Sequence, residues 1–273
     1  PNPGAMSATG SGYDLSVTTF SPDGRVFQVE YASKAIEKSG TAIGIRCADG
    51  VVLGVEKAIV SRMILNESNR RIYTVGIHNG IALSGFAADA RQIVNRGREE
   101  ATSYKGYYAS AIPGSTLANR LAGFVHLHTL YWYYRPFGCS VLIGSYNPEG
   151  EPELHQIDPS GVCHGYYAAV VGKNKEAAKS ELEKIDFRTY KCRDAVKEIA
   201  RIIYKLHDES KDKDFTLEMT WACDESKKKH VRVPAGLLEE AVKVAKDLKE
   251  KEEQDSDDDD DDDDEPPASA AGK

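Results

Sequence analysis

The chain has 273 residues, 41% of them hydrophobic and 29% charged, enough apolar material for one large domain or two small ones. No apolar run approaches the roughly 18 residues of a membrane-spanning helix, and residues 1–12 lack the basic-then-apolar order of a secretory signal, so no membrane partner is expected. The formal charge of −8 is concentrated in residues 250–265, which hold 13 acidic residues and one lysine, Lys251; the near-neutral remainder offers no nucleic-acid-binding surface.

Composition divides the chain into a polar, flexible start (1–12), a continuous globular pattern (13–248) and an acidic tail (249–273) whose eight consecutive aspartates repel one another and read as disordered. Met6-Ser7 has the look of a natural start, with residues 1–5 a cloning remnant. Within the globular part, Pro22-Asp23-Gly24 signals a turn, and Phe27, Tyr31 and Ala35 at four-residue spacing predict a helix ending at Gly40. Ile43, Ile45 and Cys47 alternate, as do Val51, Leu53 and Val55, predicting a hairpin turned at Asp49-Gly50. A second hairpin is expected around Asn79-Gly80. Long helices follow at 87–104 and 115–134, the latter stopped by Pro136. Strands are expected at 139–146, 153–157 and 162–168, then helices at 173–184 and 192–208. The chain ends on strands at 216–222 and 231–233 and a helix from 235 to about 251. Hairpins alternating with pairs of helices make an α+β order, buried most simply as two antiparallel sheets face to face with helices outside.

The chemistry-bearing candidates are few. Cys47, Cys139, Cys163, Cys192 and Cys223 are scattered, odd in number and free of CxxC pairs, which argues against a disulfide framework or zinc site and for reduced thiols in the cytoplasm or nucleus. His126 and His128 sit two apart in a predicted helix, about 200° around it, and cannot share an ion. Tyr131, Trp132, Tyr133 and Tyr134 lack the basic groove of a base-stacking platform and read as a packed helix end. No glycine-rich phosphate loop is present, and Asp158 and Asp194 have no partner in the pattern, so no cofactor and no metal are expected. Ser256, followed by eight aspartates, is a favourable context for an acidophilic kinase.

The stretch from Gly12-Tyr13-Asp14 through Phe20-Ser21-Pro22-Asp23-Gly24-Arg25-Val26-Phe27 to Glu30-Tyr31-Ala32 resembles the N-terminal pattern of proteasome alpha subunits. Thr41-Ala42-Ile43-Gly44, Asp49-Gly50-Val51-Val52, Ala88-Asp89-Ala90-Arg91, Arg135-Pro136-Phe137-Gly138 and Asp158-Pro159-Ser160-Gly161 extend the likeness over residues 13–248. Leu15, where most of these subunits carry arginine, and the acidic C-terminus point to one subtype.

The resemblance implies the four-layer αββα sandwich of N-terminal-nucleophile hydrolases, without implying activity. In catalytic relatives a processed N-terminal threonine is the nucleophile, activated with help from its own amine. Here Gly40 falls at that position, Thr41 one place later with its nitrogen in a peptide bond, and the carboxylate and lysine partners are replaced by Glu56 and, allowing a gap, Arg71. The resemblance therefore implies a catalytically silent member of a seven-membered alpha ring, partnered by other alpha subunits, by beta-ring subunits and by the C-termini of activators. It assigns Tyr13, Asp14, Pro22 and Tyr31 to gate and ring contacts and Arg71 to the pocket that receives an activator carboxylate; Gly10 and Gly12, by glycine's own freedom, read as hinges of the N-terminal end, although any polar tail carries glycines. Against this stand a threonine hydrolase matured at Thr41, an acidic binding module for basic proteins working through the tail, and, for Arg70 and Arg71, a merely solvated pair.

Overall fold

The computed structural model describes residues 12–61, 63–65, 67–208 and 213–261, with side chains described as far as Lys251. Its order is α1 (Phe27–Ile36), β1 (Ala42–Cys47), β2 (Gly50–Ala58), β3 (Ile72–Gly76), β4 (Asn79–Gly85), α2 (Ala87–Tyr108), α3 (Gly114–Leu127), β5 (Cys139–Tyr146), β6 (Pro152–Ile157), β7 (Cys163–Gly165), β8 (Ala168–Val171), α4 (Lys175–Leu182), α5 (Cys192–Leu206), β9 (Phe215–Cys223), β10 (Val231–Arg232) and α6 (Ala235–Asp261).

The strands form two antiparallel five-stranded sheets, ordered β10-β9-β2-β1-β8 and β3-β4-β5-β6-β7. Between them lies a dry layer of Val51, Leu53, Val55, Ala82, Leu142 and Leu154. α5 covers the outer face of the first sheet because Cys192, Ala195, Val196, Ile199, Ile202 and Ile203 recur at helical spacing and are all buried; α6 packs on α5 through Ala241 and Ala245. On the second sheet α2 and α3 bury Ile93, Val94, Leu117, Leu121 and Val125. This is the expected sandwich with helices on both outer faces.

Several boundaries differ from the sequence reading, each for a local reason. Both hairpin loops lie earlier than the Asp-Gly and Asn-Gly signals. Cys47 pairs with Gly50, leaving Ala48-Asp49 as the loop, and Gly76 pairs with Asn79, leaving Ile77-His78. Asn79 is a buried clip instead of a turn residue: its amide donates to the Ile112 carbonyl at 3.1 Å and its oxygen accepts from Ser145 Oγ at 2.6 Å. Gly80 is required because the His230 ring occupies the space a Cβ would take.

α3 ends at Leu127, well short of residue 134. Thr129 N and Oγ1 both donate to the His126 carbonyl, at 2.8 and 2.7 Å, taking the acceptor that another helical turn needs. The strand expected at 162–168 is two strands in different sheets, β7 on β6 and β8 on β1, with Tyr166 and Tyr167 carrying the chain across. α1 buries Ala32 and Ile36, and Phe27, Tyr31 and Ala35 are only half-buried. α6 runs to Asp261, past the expected end near residue 251. The predicted flexible start and disordered tail otherwise lie outside the described residues, as does Gly10.

Candidate functional site

The short segment between α1 and β1 is held on every side. Gly40 has no room for a side chain, since a Cβ there would overlap the Glu56 carbonyl oxygen. Its own carbonyl accepts from Ser84 Oγ at 2.9 Å, and Ser39 Oγ accepts from the Gly85 N–H at 2.9 Å. Thr41 is buried; its Oγ1 donates to the Lys173 carbonyl at 2.7 Å, and its peptide N–H donates to Glu56 Oε2 at 3.0 Å. The other carboxylate oxygen, Glu56 Oε1, faces His207 Nδ1 at 3.2 Å. A hydroxyl committed as donor to a carbonyl, beside a nitrogen that is an amide and no amine, has no base to activate it.

Gly40, Glu56 and Arg71 nevertheless line one cavity of about 320 Å³, together with Ser39, Asn69 and Leu83. Arg71 is partly buried there. Its Nη1 donates to the Gly85 carbonyl at 2.8 Å and its backbone N–H to Glu218 Oε2 at 2.9 Å. Burial lowers the Arg71 pKa from its usual value, but guanidinium retains its charge and has further N–H donors to offer a carboxylate. Arg70 is exposed, so the two arginines are not alike. The two roles that the sequence suggests for Arg71, the vestigial catalytic partner and the carboxylate pocket, fall in the same cavity.

The N-terminal turn joins two of its four predicted residues directly. Tyr31 Oη donates to Asp14 Oδ2 at 3.0 Å, and the Gln28 amide donates to the Asp14 carbonyl, so α1 holds the backbone that precedes it. Burial, then the Asp14 bond, raises the Tyr31 phenol pKa. Pro22 is exposed in a turn closed by Gly24 N–H to the Ser21 carbonyl at 2.9 Å, with Gly24 at φ +76°, a conformation that favours glycine. Tyr13 is exposed, and Gly12 also has positive φ, +87°. A groove of about 500 Å³ between this turn and the end of α3 is lined by Val17, Phe20, Val26, Val29 and Leu130.

The remaining candidates resolve simply. Each histidine meets a backbone carbonyl, His126 Nδ1 that of Ser160 and His128 Nδ1 that of Phe124, both at 3.0 Å. The aromatic run is not the packed helix end expected: it lies beyond the end of α3, and Tyr131, Trp132, Tyr133 and Tyr134 are all exposed, though their rings touch, Tyr133 and Tyr134 being 4.7 Å apart. Asp158 accepts from Gln156 Nε2 at 2.7 Å. Ser256 lies in α6, its side chain outside the described residues. Sequence reading missed a clamp: Arg135 grips both Asp89 oxygens at 2.6 and 2.8 Å, and the Gly138 N–H adds a third bond at 2.9 Å. The Arg135 bond is the main reason the Asp89 carboxyl titrates below the usual range. Both partners stand in motifs that carry the family likeness, Ala-Asp-Ala-Arg and Arg-Pro-Phe-Gly, and that was the available signal.

Comparison with known proteins agrees with this architecture. Residues 36–222 match the family described as proteasome subunit, and residues 13–35 match the N-terminal signature of the A-type proteasome subunits. The chain is 58% identical over 236 residues to the alpha type-3 proteasome subunit of Spinacia oleracea, covering 86% of this chain and 94% of that protein. It is 56% identical to the alpha type-3 subunit of Arabidopsis thaliana, over 90% of this chain and 98% of that one. With the probable alpha type-7 proteasome subunit of Schizosaccharomyces pombe it shares 47% identity, over 90% and 97%. The two-sheet sandwich, the closed Gly40 position and the tethered N-terminal turn are thus those of a chain that belongs to the proteasome alpha-type family.

Proposed function

We propose that this chain is a noncatalytic ring component of the proteasome core particle, in cytoplasm and nucleus, serving ubiquitin-dependent and -independent protein degradation. It packs beside other alpha subunits in a seven-membered ring above the beta rings, a closed cyclic arrangement that explains an apolar groove beside α1. Its N-terminal segment helps close the axial pore, and the cavity at Arg71 receives the C-terminal carboxylate of a regulatory particle. The observation that carries the reading is the closed Gly40 position: the residue aligned with the family's nucleophile has no side chain and no room for one, in a cavity that holds the Arg71 cation. Phosphorylation of Ser256 adds about −1.5 to −2 charges to the acidic tail and leaves the ring contacts untouched.

The test is peptide hydrolysis by assembled particles. Removing the residues before Phe20 raises the basal rate, and Arg71→Ala leaves that rate unchanged while weakening stimulation by a peptide with a free C-terminal carboxylate. An unchanged basal rate after truncation argues against this segment as a gate element; equal stimulation of the Arg71→Ala particle argues against the pocket.

A further inference from the structure

Three of the five scattered cysteines meet at one end of the first sheet. In the strand register Gly50 lies between Cys47 on one neighbour and Cys223 on the other, so all three face the α5 side. Gly50 offers no side chain to fill the gap, and could not: a Cβ there would lie 2.6 Å from Cys223 Cα. Cys192, the first residue of α5, is buried in the same hydrophobic cluster as Cys47 and Cys223. The ligand atoms of Cys47, Cys192 and Asp49 all lie within 4.8 Å of one another.

The frame is fixed by backbone bonds. Asp49 Oδ1 accepts from Cys192 N–H at 2.8 Å, Ala48 N–H donates to the Tyr190 carbonyl at 2.9 Å, and Asp224 N–H donates to the Asp49 carbonyl at 3.0 Å. Ala48 is exposed and Asp49 half-buried, so the buried cysteines lie one residue below the hairpin tip.

We propose that Cys47, Cys192 and Asp49 bind one zinc ion. Two sulfurs and a carboxylate oxygen gathered within 4.8 Å are donors that zinc takes in tetrahedral sites, with water free to fill the fourth position. Each coordinating thiol passes its proton to solvent as its sulfur takes the metal, so two thiols exchange two protons for one Zn²⁺ and no electron moves. Because each thiol gives up its proton on binding, zinc binding strengthens with rising pH. Zinc here ties the β1–β2 hairpin to the start of α5, a role apart from the gate and the Arg71 cavity.

The test uses the full chain with its thiols reduced, titrated with Zn²⁺ against a chromophoric chelator and with Co²⁺ as a spectroscopic probe. The expected result is one zinc per chain, at least two protons released per ion, and a thiolate-to-cobalt charge-transfer band. Cys192→Ser removes the band and weakens zinc by about tenfold or more, Asp49→Asn weakens it, and Cys163→Ser changes nothing. Where Cys192→Ser does not fold, Cys47→Ala and the wild-type proton count decide. No bound zinc, no band, or undiminished zinc binding in folded Cys47→Ala overturns the proposal and leaves the thiols as packing groups.

Discussion

Gly40 carries more of the functional argument than any charged group in the chain. A side chain there meets the Glu56 carbonyl oxygen, which β2 holds in place and which cannot rotate away. Gly40→Ala should therefore cost about 3 kcal/mol, at the upper end for overpacking, read as a lowered denaturation midpoint; an unshifted midpoint would mean the segment yields where the structure shows it closed. Gly40→Thr should lose as much and gain no hydrolysis. The sequence resemblance placed Gly40 at the nucleophile position by alignment of Ile43-Gly44, and Glu56 and, allowing a gap, Arg71 at those of its partners; the structure brings all three to one cavity. The sequence could not show the cysteine cluster or the Asp89–Arg135 clamp, whose members lie 176 and 46 positions apart along the chain and meet only through strand register and loop packing.

Among the elements, one buried imidazole bridges the two sheets. His230 Nδ1 pairs with Thr74 Oγ1 at 2.8 Å on β3, and its Nε2 with Thr220 Oγ1 at 2.9 Å on β9, so the ring bridges the sandwich. Burial brings its pKa down to about 4, against an ordinary value of 6.5. The unfolded chain thus takes up a proton between those values that the folded chain refuses. The His230 contribution is complete above about pH 6.5 and is lost as the pH falls toward 4, by up to about 3 kcal/mol. Denaturation midpoints measured across that range should fall more steeply in the wild-type chain than in His230→Gln; parallel slopes would contradict the assignment. Element types were legible from periodicity, since α5 and the alternating strands obey it closely. Turns were less so. Asn79-Gly80 mimics a hairpin loop but serves buried polar and steric needs, and the split between β7 and β8 leaves no compositional mark because Tyr166 and Tyr167 suit a strand as well as a crossover.

For the whole molecule, apolar order predicted two antiparallel sheets between helices, and the motifs predicted the family; both agree with the structure and with the relatives. What a single chain cannot display is its neighbours. On the proposed function, the groove beside α1 and the exposed Phe20 would face the next chain in a ring, and the Arg71 cavity would take a docked carboxylate. The central claim is that this hydrolase-shaped chain has no working nucleophile, and one measurement tests it most directly. Assembled core particles are treated with an electrophilic inhibitor of threonine proteases and each chain is weighed intact by mass spectrometry. The account predicts adducts on catalytic beta subunits and an unmodified mass for this chain; an adduct on this chain, above all at Thr41, would contradict it.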